Sequence, residues 1–262
     1  MLDAEPISGG TWQGYTLGTI GAVLIVWLAL LGVRKRRYRA NLGYLEGWTS
    51  AHIYLGVLVL ILSLMHSALQ LGSINIHTLT FWFMLAVVLS GFFGLYVYFH
   101  LPIRRSNNLG DGYPERWAEE LHELDQRIVD KTELLSGQIV GEILSALQGT
   151  VLGGSKWDQL FARDRSKYFV DSSVHWQKNV DQREMIVRLS EALPLAERAG
   201  IDAGVLAEVF EFFGQRQQLL RRMRKEIQFK ALLKIWLYIH IPLTFALLLA
   251  LATHIFVIFY YW

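Results

Sequence analysis

The sequence predicts an all-α membrane protein: a four-transmembrane-helix bundle with a cytoplasmic helical insertion between spans three and four. Three observations lead there. The chain of 262 residues is 53% hydrophobic, and only 18% of it is charged. Its charges are absent from three stretches, Pro6–Val33, Gly47–Ile103 and Ile235–Trp262. Between the last two lies a charged block with helical apolar periodicity, from about Arg104 to Gln228.

An uncharged apolar stretch of about 18 residues or more is long enough to cross a bilayer as a helix. The middle stretch holds two such helices and a turn. The expected spans are about Tyr15–Val33, Ala51–Leu71, Leu79–His100 and Ile235–Tyr260. The first runs directly into Arg34-Lys35-Arg36-Arg37 with no small-residue cleavage site, so it reads as a retained helix. The division is thus 1–103 for the first three spans, 104–230 for the insertion and 231–262 for the fourth span, which completes the bundle.

Orientation follows from the basic residues. Arg34, Lys35, Arg36, Arg37 and Arg39 follow span one, and Arg104 and Arg105 follow span three. Arg221, Arg222, Arg224, Lys225, Lys230 and Lys234 precede span four. The other ends lack positive charge, so the positive-inside rule puts both termini outside (periplasmic) and the insertion in the cytoplasm, in a cell inner membrane. Trp12, Tyr15, Tyr260, Tyr261 and Trp262 suit an outer aromatic belt. Spans two and four then run parallel.

The absence of cysteine excludes disulfides, thiolate metal sites and covalent haem attachment within the chain. The net charge of +2 comes from residues flanking the spans and gives no reason to expect nucleic acid.

Span two holds His52 and His66, with 66 − 52 = 14; span four holds His240 and His254, with 254 − 240 = 14. Fourteen residues make close to four helical turns, so each pair shares a face and is separated by about 21 Å. On parallel helices His52 comes level with His240, and His66 with His254. Two facing imidazoles at each of two depths are what two bis-histidine haems need. A single intramembrane histidine serves equally as a helix–helix hydrogen-bonding group. With 8 histidines in 262 residues, a chance partner at one set position is about one in thirty, and the matched pairs favour ligands. Gly18 and Gly32 in span one, and Gly91 and Gly94 in span three, would let a macrocycle approach the backbone. General helix packing is the alternative for them.

His-x13-His on two helices of a four-helix bundle resembles the dihaem b-type membrane cytochromes. These include cytochrome b of the bc complexes, the cytochrome b anchors of nitrate reductase, formate dehydrogenase and nickel–iron hydrogenase, and the ferric-reductase-like membrane domains. The resemblance covers the four spans, about half of the chain. It implies two non-covalent haem b groups, with His52, His66, His240 and His254 as axial ligands to haem iron. It also implies electron transport within a respiratory or photosynthetic oxidoreductase complex, the chain being an electron-transfer subunit and not a catalyst alone. An iron–sulfur, flavin or cytochrome c protein would then be the partner, beside the lipid bilayer. A quinone is a further expected ligand, with His77 in the outer turn and His100 at the inner end of span three as candidate contacts; the alternative for each is an interfacial polar residue.

In the insertion, Trp117, Leu121, Leu124, Ile128, Leu135, Ile139 and Ile143 recur at near-heptad spacing, as do Val205, Val209, Phe212, Leu219, Met223 and Ile227. They predict two long amphipathic helices, the second capped by Asp202 and continuing into span four, with a shorter helix around Gln182–Leu193. The run Gly149-Thr-Val-Leu-Gly-Gly-Ser-Lys156 resembles a phosphate-binding loop only superficially, since Gly154 is followed by Ser-Lys and no strand precedes it. The insertion is expected to dock a partner or to cover the inner face. His122 and His175 fall on its surface.

Two other functions fit parts of the pattern. A haem-containing or His-based membrane sensor would signal through the helical module. A transition-metal transporter would use the histidines directly, but the spans offer no Asp, Glu or Cys to help them.

Overall fold

The computed structural model describes residues 10–36, 44–69, 75–109, 116–170 and 175–260, with backbone only for 36, 45 and 98–109. The chain divides into two units, Met1–Val97 with Ile235–Trp262, and Tyr98–Lys234.

The first unit contains α1 (Trp12–Arg36), α2 (Leu45–His66), the first part of α3 (Ile76–Leu109) and the last part of α8 (Ala203–Tyr260). All four helices are long and apolar enough to cross a membrane. α2 stops at His66, short of the expected Leu71, because Ala68 and Leu69 adopt positive φ and turn the chain. Val59, Phe81, Met84 and Leu247 form the buried centre, with Leu24, Leu28 and Leu64 packed around them. The outer surface is equally apolar: Val23, Ile61, Leu89, Phe92 and Phe256 are exposed, and Leu249 is 71% exposed. So large an apolar exterior marks a lipid-facing surface. Hydroxyls on these helices bond back to their own carbonyls, Thr16 to Trp12, Ser63 to Leu60 and Thr244 to His240. In hydrocarbon, where no water can satisfy a polar group, such internal bonds are required.

The second unit contains α4 (Trp117–Thr132), α5 (Gln138–Gln148), α6 (Lys156–Leu160), strands β1 (Lys167–Val170) and β2 (His175–Lys178), α7 (Arg183–Ala192) and the first part of α8. The strands are antiparallel, with Phe169 opposite Trp176. This hairpin is a small addition to a chain that is otherwise mostly helical. The first apolar stripe also divides. Gly137, at φ 88°, takes a conformation that side chains disfavour, and it separates α4 from α5. The two halves can then fold against each other and α8 instead of forming one arm of a hairpin. The short helix α7 and the unbroken α8 agree with expectation, and Asp202 caps α8 by accepting from Gly204 N (2.8 Å) and Val205 N (3.1 Å).

Ile128, Ile143, Ala146, Met185, Leu189, Leu206, Val209 and Phe213 form the core of this unit. Beside it, α8 buries two cations. Arg216 is 1% exposed and donates to Asp125 (2.6 Å) and Thr150 (3.0 Å). Arg224 pairs with Asp164 at 2.8 Å, and burial lowers its pKa. Arg221 bonds Asp181, which sits at positive φ. Two residues that read as topology-setting charges in the sequence are therefore ion-paired inside a folded unit.

Candidate haem-ligand histidines

The ligand candidates lie in the first unit, and each is oriented through its Nδ1 by a neighbouring helix. His66 Nδ1 meets the Gly14 carbonyl at 2.8 Å, and His52 Nδ1 meets the Leu28 carbonyl at 3.1 Å. A carbonyl only accepts, so both rings donate to it through Nδ1–H. The acceptors on α1 are spaced like the histidines on α2: 28 − 14 = 14 and 66 − 52 = 14. Two antiparallel helices thus repeat one contact at two depths. The stacked indoles of Trp27 and Trp48, 4.9 Å apart, hold the same pairing.

The histidines of α8 are oriented by α3. Ser90 Oγ lies 2.7 Å from His240 Nδ1 and also 2.7 Å from the Val87 carbonyl. His240 Nδ1 is thus tied to α3 through the Ser90 hydroxyl. His254 Nδ1 lies 2.8 Å from His77 Nδ1. In all four rings Nδ1 is engaged by a neighbouring helix.

The structure brings His66 and His254 together, with ring centroids 6.2 Å apart and planes at 73°. Two imidazoles on one metal, each with a metal–nitrogen bond of about 2 Å and about 1 Å more from nitrogen to ring centre, have centroids about 6 Å apart. The separation of the His66 and His254 rings is compatible with that spacing. Among the described residues, no group of three or more His, Asp or Glu side chains could hold a metal ion directly. A bis-histidine haem needs only two.

The glycines divide. A Cβ on Gly18 would lie 2.8 Å from His66 Cε1, so this glycine makes room for the His66 ring. At Gly94 it would lie 2.2 Å from the Trp236 indole, whose Nε1 donates to the Ser90 carbonyl at 2.9 Å. At Gly32 and Gly91 it would meet nothing within 4 Å. His77, read as a candidate quinone contact, stands against His254; the side chain of His100 lies outside the described residues. His122 bonds Gln126 on the surface of α4, and His175 lies on β2.

Sequence reasoning missed Ser90 and the two α1 carbonyls. A signal existed for Ser90. On antiparallel helices, 90 − 77 = 13 nearly matches 254 − 240 = 14, which places a polar residue opposite each histidine of span four. The carbonyls carry no sequence signal. No family model, curated protein or solved structure matches the chain.

Proposed function

We propose that this membrane protein is a dihaem b-type cytochrome subunit that carries electrons across the bilayer within an oxidoreductase complex. The observation that carries the reading is the repeated orientation of four imidazoles through Nδ1, in two pairs each fourteen residues apart on its helix. His52 and His240 would hold one haem b, and His66 and His254 the other. A bis-histidine haem iron cycles between ferric and ferrous states and so passes single electrons. The protein's own contribution is to fix the rings. The Gly14 and Leu28 carbonyls and the Ser90 hydroxyl hold ring nitrogens in place, Gly18 seats the His66 ring, and the apolar centre excludes water. An iron–sulfur, flavin or cytochrome c protein would supply or take the electrons, and His77 Nε2 would remain for a quinone carbonyl. The insertion would lie in the cytoplasm and both termini outside.

Pyridine haemochrome assay of the purified protein should give two haems per polypeptide. His52→Ala and His240→Ala should remove one spectral component, and His66→Ala and His254→Ala the other. Zero or one haem, or a His52/His254 pairing, would overturn the assignment. In proteoliposomes with trapped ferricyanide, an external reductant should reduce the trapped oxidant. Haem binding without that passage would favour the sensor reading.

A further inference from the structure

The second unit exposes an aromatic pair that its own core does not need. Trp157 is 67% exposed and Phe161 57%, and their rings stack at 6.1 Å and 10°. The Arg163 guanidinium lies over Phe161, 5.4 Å from its centroid. These residues lie on and just after α6, a single helical turn held by a complete capping box. Ser155 accepts from Asp158 N, and Asp158 accepts from Ser155 N at 3.0 Å. A turn so short has no helical stability of its own; it is fixed by its cap and by α8.

The contact with α8 locates it. Gln228 Nε2 donates to the Leu160 carbonyl at 3.0 Å. Gln228 precedes Lys234 by six residues, about 9 Å along a helix axis, and Lys234 is the last charged residue before the uncharged stretch that enters the bilayer. The aromatic pair thus lies on a segment tied to α8 six residues before Lys234.

The charges nearby have one sign. Asp158 is buried and paired with Arg165, and Glu226 is buried and paired with Lys230. Lys156, Arg163, Lys225 and Lys234 are exposed. Exposed indole and phenyl rings beside exposed cations make the chemistry of a bilayer interface, where rings sit among the headgroups and cations meet phosphate.

We propose that Trp157, Phe161 and Arg163 form a peripheral lipid-binding foot that seats the second unit on the anionic headgroup layer where α8 enters the membrane. It fixes this end of the unit without relying on a partner protein. The inference rests on the membrane insertion of α8 and not on haem binding, and the absorption spectrum of the same sample reports haem separately.

The chain has no cysteine, so a single introduced thiol can be labelled cleanly. The full-length protein carrying Trp157→Cys or Phe161→Cys, labelled with bimane, would be placed in nanodiscs of phosphatidylcholine with and without phosphatidylglycerol. Interfacial residues lie about 5–10 Å into the headgroup boundary, so headgroup-region spin-labelled lipid should quench both sites about twofold. Ser190→Cys is the control. Its helix packs through Leu189 near Leu206, twenty-two residues before Gln228 on α8, and it should stay unquenched. Arg163→Glu should abolish any gain from phosphatidylglycerol. Water-like, unquenched emission from both aromatic sites in both lipids would overturn the proposal. So would labels that are free in nanodiscs but shielded in native membranes, which would assign the surface to a protein.

Discussion

Ser90 carries one hydroxyl and two obligations, to the Val87 carbonyl and to His240, both at 2.7 Å. The hydroxyl ties the His240 ring to α3. Ser90→Ala removes that partner and leaves His240 Nδ1 without its hydrogen bond in an apolar surrounding. Outer-shell losses of this kind typically weaken metal binding about 10-fold or more. The expected result is depletion of the haem at the His52/His240 level with the other level intact, read from haem stoichiometry and the reduced-minus-oxidised spectrum. Equal loss at both levels would show that Ser90 acts on the bundle as a whole. Gly18→Val tests the other level. Its Cβ would lie 2.8 Å from His66 Cε1, and the branches above it are larger still. Overpacking costs about 1–3 kcal/mol, and here the ring that must yield is a candidate ligand, so the His66/His254 haem should fall selectively. Gly32→Val, where a Cβ meets nothing within 4 Å, is the control for the ring contact. At this scale the histidines were legible because spacing is a property of sequence. What orients them was not, because a backbone carbonyl belongs to every residue type and only folding selects Gly14 and Leu28.

At the scale of elements, periodicity located the spans well and the second unit less well. The four apolar stretches became helices, and the continuous α8 was visible because no breaker precedes span four. The stripe from Trp117 to Ile143 keeps its phase across Gly137 and so hides the break between α4 and α5. The buried face of α8 includes Val209 and Leu219 of the expected stripe, with Phe212 and Met223 packed beside Leu219, and it widens to Leu206, Phe213, Arg216 and Leu220. The hairpin β1–β2, with strands of four residues, is too short to announce itself. α6 was missed too, although Ser155 and Asp158 stand three apart as a capping box requires. That box gives a pH prediction. The Ser155 hydroxyl, then its backbone N–H and Arg165, hold the Asp158 carboxyl below the usual carboxylate range. A carboxyl depressed in the folded state stabilises fully above its unfolded pKa of about 3.9 and loses that contribution as pH falls through the folded value. Bimane at Trp157→Cys should therefore keep its environment through mild acid. Adding Ser155→Ala removes the first cause, so the acid transition should begin at higher pH. An unchanged transition would mean that α6 is held by Gln228 and not by its cap.

The whole molecule separates its tasks. All four candidate ligands and the groups that orient them belong to Met1–Val97 with Ile235–Trp262, while Tyr98–Lys234 has a core of its own. Deletion of Gly112–Asp202 alone would be a poor test of this separation. The structure moves the boundary. The first part of α8 supplies Leu206, Val209 and Phe213 to the core of the second unit, and Arg216 is buried there against Asp125 and Thr150. A cut ending at Asp202 would strip the partners from that face. It would leave apolar residues in water and a cation without its carboxylate, and loss of one partner from a buried pair costs about 3–5 kcal/mol. Such a variant could fail for reasons unrelated to haem. Replacing 110–230 with a flexible linker removes the face together with its partners. It keeps Lys234 and the uncharged stretch from Ile235, so that α8 can still enter the bilayer. The expected outcome is a membrane-inserted protein with two haems per chain and unchanged spectral components, alongside reduced co-purification of any redox partner that the second unit docks. A form that inserts but loses haem would make the second unit necessary to the ligand geometry. Partner recovery at full occupancy would place partner binding on the spans instead.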